Sequence, residues 1–442
     1  MKMKMKIEVE VISEETIKPS SPTPHHLRHH HLSFLDQLAP HAYVPFLYFY
    51  SIPNSHNHTQ ISTHLKKSLS KALTQYYPLA GRVKHNLFVD CNGFGVPFYE
   101  ARVETLSLSE VLTNPSLHEL NNLLPFKLDG FRDIPLGVQL NRFRCGGVAI
   151  GLAASHRVAD GLSIYTFVKN WAATACGNES VSPDFSAASI FPPRNMDGYN
   201  GVSIPKKNDI VTKGFVFDGL KIEALRSKYA ESIGLKTKKL PSRVEALSAF
   251  LWNKFMAAAS KEEESSSTKL YTVVYIMDLR SRFNPPLPQN SFGNYYRAAT
   301  ATPTLVNGEE RGGLVRQVIE EIEKIDNKYM RKFQDGYEEH LDFMRRRMER
   351  AAKGELVTLT FSSVCRFPLY DADFGWGKPA WVSMAAMKIN NQIVFMDTKL
   401  GDGIESYFSF KEEDMAKFEL DSEFVELISP IGNVKKSPFA RL

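Results

Sequence analysis

The chain has 442 residues, with 54 Lys and Arg against 49 Asp and Glu, and its formal net charge is only +5. This length allows roughly two or three domains of about 150 residues each. Hydrophobic residues make up 43% of the chain, which excludes a mostly disordered protein. The small charge surplus excludes the basic face that is typical of a nucleic-acid-binding protein.

The four cysteines are too few and too scattered for a disulfide framework, and no C-x-x-C pair indicates a zinc site. No apolar run reaches 18 residues, so no membrane span is predicted. The segment Met1–Lys6 alternates Met and Lys and lacks the apolar core of a secretory signal. The sequence therefore predicts a metal-free, cytosolic protein with no membrane contact.

The first half of the chain mixes strands and helices. The predicted elements are strands over Ile7–Val11, Pro45–Tyr50 and Cys145–Ala154 and helices over Ile61–Tyr76 and Leu162–Ala175. A histidine cluster follows the first strand: His25, His26, His29, His30 and His31. Adjacent histidines in a loop lack fixed ligand geometry, which favours a solvated surface segment over a metal site.

Residues 180–207 are loop-like and contain four prolines, which makes this stretch the best candidate for a linker. A second half follows it. Its predicted strands are Phe215–Phe217, Tyr271–Asp278, Glu355–Phe361, Trp381–Ile389 and Gln392–Asp397, and its predicted helices are Leu220–Ile233, Ser242–Ala259 and a long charged helix over Leu314–Lys353, broken near Gly336. The fold class is α/β, without the strict alternation of a simple parallel sheet.

The first candidate catalytic motif is His156-x-x-x-Asp160, followed by Gly161. It lies after an apolar strand and before a helix, where loops often carry catalytic residues. Such a short pattern also arises by chance, and Asp160 would then only cap the helix. The spacing alone leaves both interpretations open.

The second candidate is Asp373-Phe374-Gly375-Trp376-Gly377, a far more specific string. Asp-Phe-Gly also occurs in the magnesium loop of protein kinases, but the chain has no G-x-G-x-x-G loop and no His-Arg-Asp loop. It also lacks a Walker lysine loop, a G-x-S-x-G elbow and an H-E-x-x-H helix. Phosphoryl transfer, serine hydrolysis and zinc hydrolysis therefore lose support.

Taken together and in this order, the two motifs resemble the plant BAHD family of acyl-CoA-dependent acyltransferases. Further strings resemble the same family over essentially the whole chain: Ile17–Pro24, Leu32–Gln37, Tyr77–Arg82, Ser242–Leu247, Asp278–Arg282 and Asn290–Asn294. The N-terminal string and Cys365–Asp373 look most like the branch with vinorine synthase, alkaloid O-acetyltransferases and acylsugar acyltransferases.

The resemblance implies a two-domain fold of the chloramphenicol-acetyltransferase type, in which each domain is a mixed β-sheet with helices and the active-site channel lies at the domain interface. The expected domains are residues 1–195 and 215–442, joined by a crossover linker at 196–214. A segment near 366–391 is expected to return to the first domain. The protein is expected to act as a monomer.

The resemblance also implies the chemistry. His156 is expected to remove a proton from a small-molecule alcohol, which then attacks the thioester of an acyl-CoA, most simply acetyl-CoA, without an acyl-enzyme. Asp160 is expected to be structural and to pair with Arg280. The loop residues Asp373, Gly375, Trp376 and Gly377 are likewise expected to be structural and to shape the cofactor side of the channel.

One departure from the family concerns the pocket. Relatives carry a tryptophan where this chain has Val364, while Ser362 remains a candidate hydrogen-bond donor. A valine there implies either a roomier acceptor pocket or a space filled by neighbouring aromatic side chains.

The predicted function is acetyl transfer from acetyl-CoA to a hydroxyl of an alkaloid. The alternatives are a sugar ester or terpenoid alcohol as acceptor, with a longer acyl donor, or a non-catalytic homologue that binds small molecules. Carrier-protein-dependent condensation domains also use an H-x-x-x-D-G pattern, but they usually carry a second histidine where this chain has Ser155.

Overall fold

The computed structural model describes residues 6–52, 57–128, 132–196, 209–233, 240–260, 269–302, 312–335 and 338–432. In chain order the strands are β1 (Glu10–Ile17), β2 (His29–His31), β3 (Tyr43–Tyr50), β4 (Arg82–Lys84), β5 (Phe88–Asp90), β6 (Val96–Val103), β7 (Leu136–Phe143), β8 (Val148–Ser155), β9 (Ile210–Asp218), β10 (Leu270–Asp278), β11 (Tyr296–Ala301), β12 (Leu356–Ser363), β13 (Trp381–Ser383), β14 (Gln392–Asp397), β15 (Gly403–Lys411) and β16 (Ile428–Pro430).

The helices are α1 (Phe34–Leu38), α2 (His58–Gln75), α3 (Leu108–Thr113), α4 (Gly161–Ala175), α5 (Ala187–Ile190), α6 (Gly219–Ile233), α7 (Arg243–Ser260), α8 (Gly312–Glu323), α9 (Asn327–Asp335), α10 (Glu338–Ala352), α11 (Glu412–Leu420) and α12 (Ser422–Leu427). None of the helices in the described ranges has the length and apolar character that a membrane-spanning segment requires.

Two large mixed sheets organise the described residues. The first sheet has the order β1-β6-β7-β8-β3-β13, and the second has the order β11-β10-β12-β14-β15-β9-β16. Pairing is antiparallel except between β6 and β7 and along β10, β12 and β14, whose strands run parallel. A smaller sheet, β2-β5-β4, completes the architecture.

The two halves of the chain exchange elements. Strand β13 comes late in the sequence but pairs with β3 of the first sheet, with Trp381 opposite Phe49. Helix α1 comes early, yet its residues Phe34 and Leu35 are buried in the core of the second sheet. Each hydrophobic core therefore contains side chains from both halves, because a late strand completes the first sheet and an early helix packs against the second.

The main elements around the predicted motif are confirmed with small shifts. Helix α2 begins at His58, and its buried stripe contains Leu65, Leu69 and Leu73, as the helical spacing predicted. Strand β8 is buried along its whole length. Helix α4 begins at Gly161, one residue before the predicted start, because Asp160 caps it.

Several local predictions were wrong. The first strand is Glu10–Ile17 instead of Ile7–Val11, since this edge strand is mostly exposed and shows no apolar alternation. The predicted histidine loop instead contains a strand, β2, in which His30 is buried against Tyr77 and Phe185. Burial lowers the pKa of His30 to about 4.

The strand predicted over Trp381–Ile389 covers only Trp381–Ser383, and the main chain then bonds from Ala386 N to Leu117 O instead. The long predicted helix is divided into α8, α9 and α10. Asp326 interrupts it, because its carboxylate accepts a hydrogen bond from Tyr329 N at the start of α9. The predicted break at Gly336 lies outside the described residues.

The predicted crossover linker at 196–214 contains the start of a strand. Strand β9 begins at Ile210, inside the segment 196–214, and is three times longer than the strand predicted over 215–217. Its antiparallel pairing with β15, from Ile210 opposite Lys411 to Asp218 opposite Gly403, accounts for the extension. Residues 197–208 of the linker lie outside the described ranges.

Candidate active site

His156 lies in the connection between β8 and α4. Its main-chain N–H donates to Ala42 O at 2.9 Å, which fixes the loop to the residue before β3. Its half-buried ring lies 5.2 Å from the ring of Tyr296, the first residue of edge strand β11. The strand–loop–helix sequence thus places this histidine where the first sheet meets an edge of the second.

The His156 ring has a defined hydrogen-bond partner. Nδ1 lies 3.0 Å from Oδ1 of Asn294, which is fully buried. Because an amide oxygen only accepts, Nδ1 carries the proton and Nε2 keeps its lone pair. Among the described residues no hydrogen bond reaches Nε2. Burial lowers the pKa of His156 below its ordinary value of 6.5, so the ring is neutral at pH 7.

Asp160 forms an ion pair with Arg280. The guanidinium donates to both carboxylate oxygens, with distances of 2.9 Å to Oδ2 and 3.1 Å to Oδ1. Asp160 also caps α4 by accepting from Ser163 N, and it accepts from Tyr295 N. Burial alone would raise the pKa of Asp160, but Arg280 and these hydrogen bonds hold it below its ordinary value.

Arg280 is buried, and its donors are used on several elements. It donates to Asp278 Oδ1 at 2.7 Å and to Ser291 O at 2.9 Å, and its guanidinium lies over the Tyr295 ring at 4.7 Å. Burial opposes the charge, but Asp160 and Asp278 raise the pKa of Arg280 above its ordinary value. This network joins the start of α4 to the end of β10 and thereby holds the loop that carries His156.

The Asp373–Gly377 loop is built around one carboxylate. Oδ1 of Asp373 accepts from Gly375 N and Gly377 N, both at 2.9 Å. Both glycines have a φ of 102°, a conformation that L side chains rarely adopt, which explains the two glycines of the motif. Phe374 is buried against Trp171, and Trp376 packs on His64.

This loop lies far from His156. It contacts the C-terminal end of α4, where Cys176 Sγ donates to Asp373 O at 3.3 Å. His156 lies at the other end of the same helix, which has 15 residues and is therefore about 20 Å long. The motif packs against α2 and α4, and this geometry supports a structural interpretation of Asp373, Gly375, Trp376 and Gly377.

The two predicted pocket residues lie at the end of β12. Ser362 lines a cavity of about 190 Å³ together with Ser363, Tyr275 and Glu245. Val364 follows the strand and approaches the start of α4, since a Cβ built on Gly161 would lie 3.6 Å from Val364 Cγ1 and 3.7 Å from Phe367. An aromatic neighbour thus occupies part of the space next to Val364.

Sequence reasoning missed two residues that order the site, Asn294 and Asp36. Asn294 contacts His156 directly, and its Nδ2 donates to Asp36 Oδ1 at 2.8 Å. Both residues belong to strings that carried the family resemblance, Asn290–Asn294 and Leu32–Gln37. The spacing of 258 residues between them gave no reason to place them together.

No group of three His, Cys, Asp or Glu side chains suited to a metal ion occurs among the described residues. The four cysteines are free thiols. Cys145 accepts a hydrogen bond from Leu108 N at 3.3 Å, while burial raises the pKa of Cys91 and of Cys365 to about 12. The burial of Cys91 and Cys365 disfavours the thiolate form that nucleophilic cysteines require.

Comparison with known proteins gives a consistent result. The profile of the transferase family matches residues 7–425. Stemmadenine O-acetyltransferase of Catharanthus roseus is 39% identical over 433 residues, covering 95% of this chain and 98% of that protein. A limonoid 21-O-acetyltransferase of Melia azedarach is also 39% identical, and vinorine synthase of Rauvolfia serpentina is 38% identical, with coverage of 95% or more of both chains.

Solved structures show the same relationship. The crystal structure of vinorine synthase matches with a TM-score of 0.83 at 36% identity, covering 96% of this chain and 100% of that one. The TRI101 protein of F. graminearum, complexed with coenzyme A and deoxynivalenol, matches with a TM-score of 0.72 at 16% identity, covering 91% and 99% of the two chains, which supports the fold alone. The fold is that of the chloramphenicol acetyltransferase type. With its family profile and its relatives matched over nearly the whole length, the chain belongs to the BAHD family of acyltransferases.

Proposed function

We propose that this acyltransferase moves an acetyl group from acetyl-CoA to a hydroxyl of an alkaloid, with His156 as the general base. The observation that carries the proposal is the hydrogen bond between His156 Nδ1 and Asn294 Oδ1, because it leaves Nε2 with a lone pair at neutral pH. The O-acetyltransferase names of relatives 37–39% identical to this chain support the acyl group. Stemmadenine in one of these names supports the alkaloid acceptor.

The reaction needs one proton to move twice. Nε2 of His156 takes the proton of the acceptor hydroxyl as its oxygen attacks the thioester carbonyl carbon. The carbonyl oxygen becomes an oxyanion in a tetrahedral intermediate. The C–S bond then breaks, the carbonyl re-forms, and the imidazolium returns the proton to the CoA sulfur. Both substrates are bound together, and no acyl-enzyme forms.

The remaining predicted residues take supporting roles in this proposal. Asp160 and Arg280 hold the histidine loop, and neither touches a reacting atom. The Asp373–Gly377 loop stabilises the packing of α2 and α4. Ser362 is the candidate hydroxyl donor to the substrate or the oxyanion, a role that rests on the family resemblance. Val364 borders the acceptor side.

A second acceptor class also has a specific observation in its favour. Limonoid 21-O-acetyltransferase of Melia azedarach is as similar to this chain, at 39%, as the stemmadenine enzyme. A terpenoid alcohol is therefore the alternative acceptor, with the same transfer chemistry at His156. A longer acyl donor and a sugar ester acceptor are tested by the assay below when a longer acyl-CoA replaces acetyl-CoA or a sugar ester replaces the alcohol. The intact His156 disfavours a non-catalytic homologue.

The experiment is a thiol-release assay. Purified protein is incubated with acetyl-CoA together with an indole alkaloid alcohol in one reaction and a limonoid alcohol in another. In each reaction free CoA thiol is followed together with the product mass. Thiol release that requires an alkaloid alcohol and yields a product heavier by one acetyl group supports the proposal. Release with the limonoid alcohol alone favours the alternative, and no release with any acceptor or donor contradicts enzymatic transfer by this site.

We also propose that the protein acts as a cytosolic monomer. Four free cysteines suit a reducing compartment. Light scattering after size-exclusion chromatography tests the monomer, which requires a mass near 50.0 kDa. A fluorescent fusion tests the compartment, and a signal confined to an organelle would contradict it.

A further inference from the structure

The side-chain amide of Asn294 is oriented by its surroundings. Nδ2 donates to Asp36 Oδ1 at 2.8 Å and to the main-chain oxygen of His156 at 2.7 Å. A carboxylate and a carbonyl oxygen only accept hydrogen bonds, so the NH2 group must face them. The amide oxygen is thereby turned toward His156 Nδ1, 3.0 Å away.

This orientation determines the tautomer of His156. With the amide oxygen facing Nδ1, the neutral ring carries its hydrogen on Nδ1, and Nε2 can accept a proton. If the amide were reversed, its NH2 group would face Nδ1 and favour the tautomer with hydrogen on Nε2. That tautomer cannot act as a base through Nε2.

Asp36 is fixed by four neutral donors. Its Oδ2 accepts from Ser33 N at 2.7 Å and from Ser33 Oγ at 2.6 Å, while Oδ1 accepts from Asn294 N and Asn294 Nδ2, both at 2.8 Å. Its side chain is buried, and no Lys or Arg forms an ion pair with it among the described residues.

A helix cap alone does not require such burial. The capping box of α3 uses the same pattern, with Ser107 and Glu110, at an exposed site. Burying a carboxylate without a cation is unfavourable, so the position of Asp36 indicates a role beyond the start of α1. Its link to the histidine through Asn294 supplies that role.

We propose that Asp36 is a positioning residue for proton transfer, which orients the amide of Asn294 and thereby selects the tautomer of His156 that can accept a proton at Nε2. This inference rests on the proposed function, in which His156 is the base. Asp36 of helix α1 thereby joins the residues that position His156 for proton transfer, although it touches neither ring nitrogen.

The arrangement has a consequence for pH. Burial raises the pKa of Asp36 to about 6, against the hydrogen bonds from Ser33 and Asn294. The titratable groups near this carboxyl are His156, reached through Asn294, and the phenol of Tyr295. A protonated Asp36 gains an O–H group, which either Ser33 Oγ or the oxygen of a reversed Asn294 amide accepts. To the extent that the amide reverses, acid shifts the neutral His156 ring toward the unreactive tautomer.

The test is Asp36→Asn, which keeps the size of the side chain but removes the obligatory acceptor. The readout is the ¹⁵N resonances of the His156 ring, identified by their loss in His156→Ala. The wild type at pH 8 should carry hydrogen on Nδ1, and Asp36→Asn should carry it partly or wholly on Nε2. The kcat should fall at least about tenfold, with the KM for acetyl-CoA within about twofold.

Ser33→Ala is the matched control. It removes the cap hydroxyl of the same helix but leaves both Asn294 contacts of Asp36 in place. Its Tm should fall, and its acid limb should move to higher pH because the Ser33 hydroxyl no longer lowers the pKa of Asp36, while the His156 tautomer at pH 8 stays as in the wild type. An Asp36→Asn protein that behaves in the same way, less stable but with hydrogen still on Nδ1, would show that Asp36 is only a helix cap.

Titration of the wild type needs no variant and covers the case in which Asp36→Asn does not fold. Between pH 8 and 5 the neutral form of the ring should shift its hydrogen from Nδ1 toward Nε2, and log kcat/KM should fall with a slope approaching two. A neutral form that keeps its hydrogen on Nδ1 throughout this range overturns the proposal. The tautomer measurement does not depend on catalysis, so a fully active His156→Ala would reject the general base without deciding the role of Asp36.

Discussion

Trp381 of the first sheet donates its indole N–H to Glu405 of the second sheet, with Nε1 3.1 Å from Oε2. The same carboxylate oxygen accepts from Tyr407, also at 3.1 Å. Glu405 is only 7% exposed, so this carboxyl group bridges the two sheets inside the protein. Burial raises the pKa of Glu405 to about 7, against the two hydrogen bonds.

Glu405→Gln should stabilise the protein at alkaline pH. Because the folded-state pKa lies above the ordinary 4.5, the folded protein binds this proton more tightly, and stability is lost as pH rises from about 4.5 through 7. The difference between the folded-state and the ordinary pKa corresponds to a loss of about 3 kcal/mol of stability above pH 7, at about 1.4 kcal/mol per unit of pKa. Urea unfolding should give the variant a higher free energy of unfolding than the wild type at pH 8, and this difference should be smaller at pH 5. An equal difference at both pH values would contradict the raised pKa of Glu405.

Asp160→Ala should destabilise the protein by about 3–5 kcal/mol, because it leaves Arg280 buried without its bidentate partner. Asp371→Ala removes an exposed carboxylate from an ion pair with Lys169 and should cost less than about 1 kcal/mol. Thermal unfolding of both variants makes the comparison. An Asp160→Asn protein with unchanged Tm but lost activity would instead favour a direct orienting role for this carboxylate.

His156→Ala should lower kcat by at least about a hundredfold, the usual scale for loss of a general base. The fold should survive, since among the described residues the ring makes one side-chain hydrogen bond, to Asn294. His25→Ala, which changes an exposed histidine between β1 and β2, is the control and should retain full activity. Turnover near the wild-type value in a folded His156→Ala protein would reject the catalytic assignment.

Val364→Trp should raise the KM for the acceptor or abolish its binding, with little change in the KM for acetyl-CoA. Overpacking costs about 1–3 kcal/mol, or roughly five- to more than a hundredfold in affinity. The space is limited by Gly161 and Phe367, which lie next to Val364. Val364→Ile is the matched control and should have a smaller effect on the same constant. A change confined to acetyl-CoA would place this residue on the donor side.

The local parts of the site were predictable from sequence, and the long-range parts were not. An apolar strand, a histidine and the Asp160 cap led to α4 within one residue, since caps and helical spacing are local signals. The pair Asp160–Arg280 came from the family resemblance. Asp36 and Asn294 were overlooked because their roles depend on contacts between residues far apart in the chain, which no periodicity reports.

The same limit explains His30 and Glu405. A histidine among four others is predicted to be exposed to solvent. His30 is nevertheless buried by one partner strand and two aromatic rings. Glu405 lies in β15, and the residues before and after it in the strand are also buried. The sequence pattern of β15 does not indicate that Trp381 of the other sheet contacts this carboxylate. Burial of polar groups follows tertiary contacts more than local composition.

The pairing of β13 with β3 has a consequence for synthesis on the ribosome. Until residues 381–383 have left the exit tunnel, β3 is the open edge of the first sheet, and seven of its eight residues are destined for burial. An unpaired apolar edge strand is a template for association with other chains. A nascent chain must therefore keep this edge protected while more than 300 further residues are added, and a transcript truncated between β12 and β13 should yield an aggregating product instead of a stable N-terminal half.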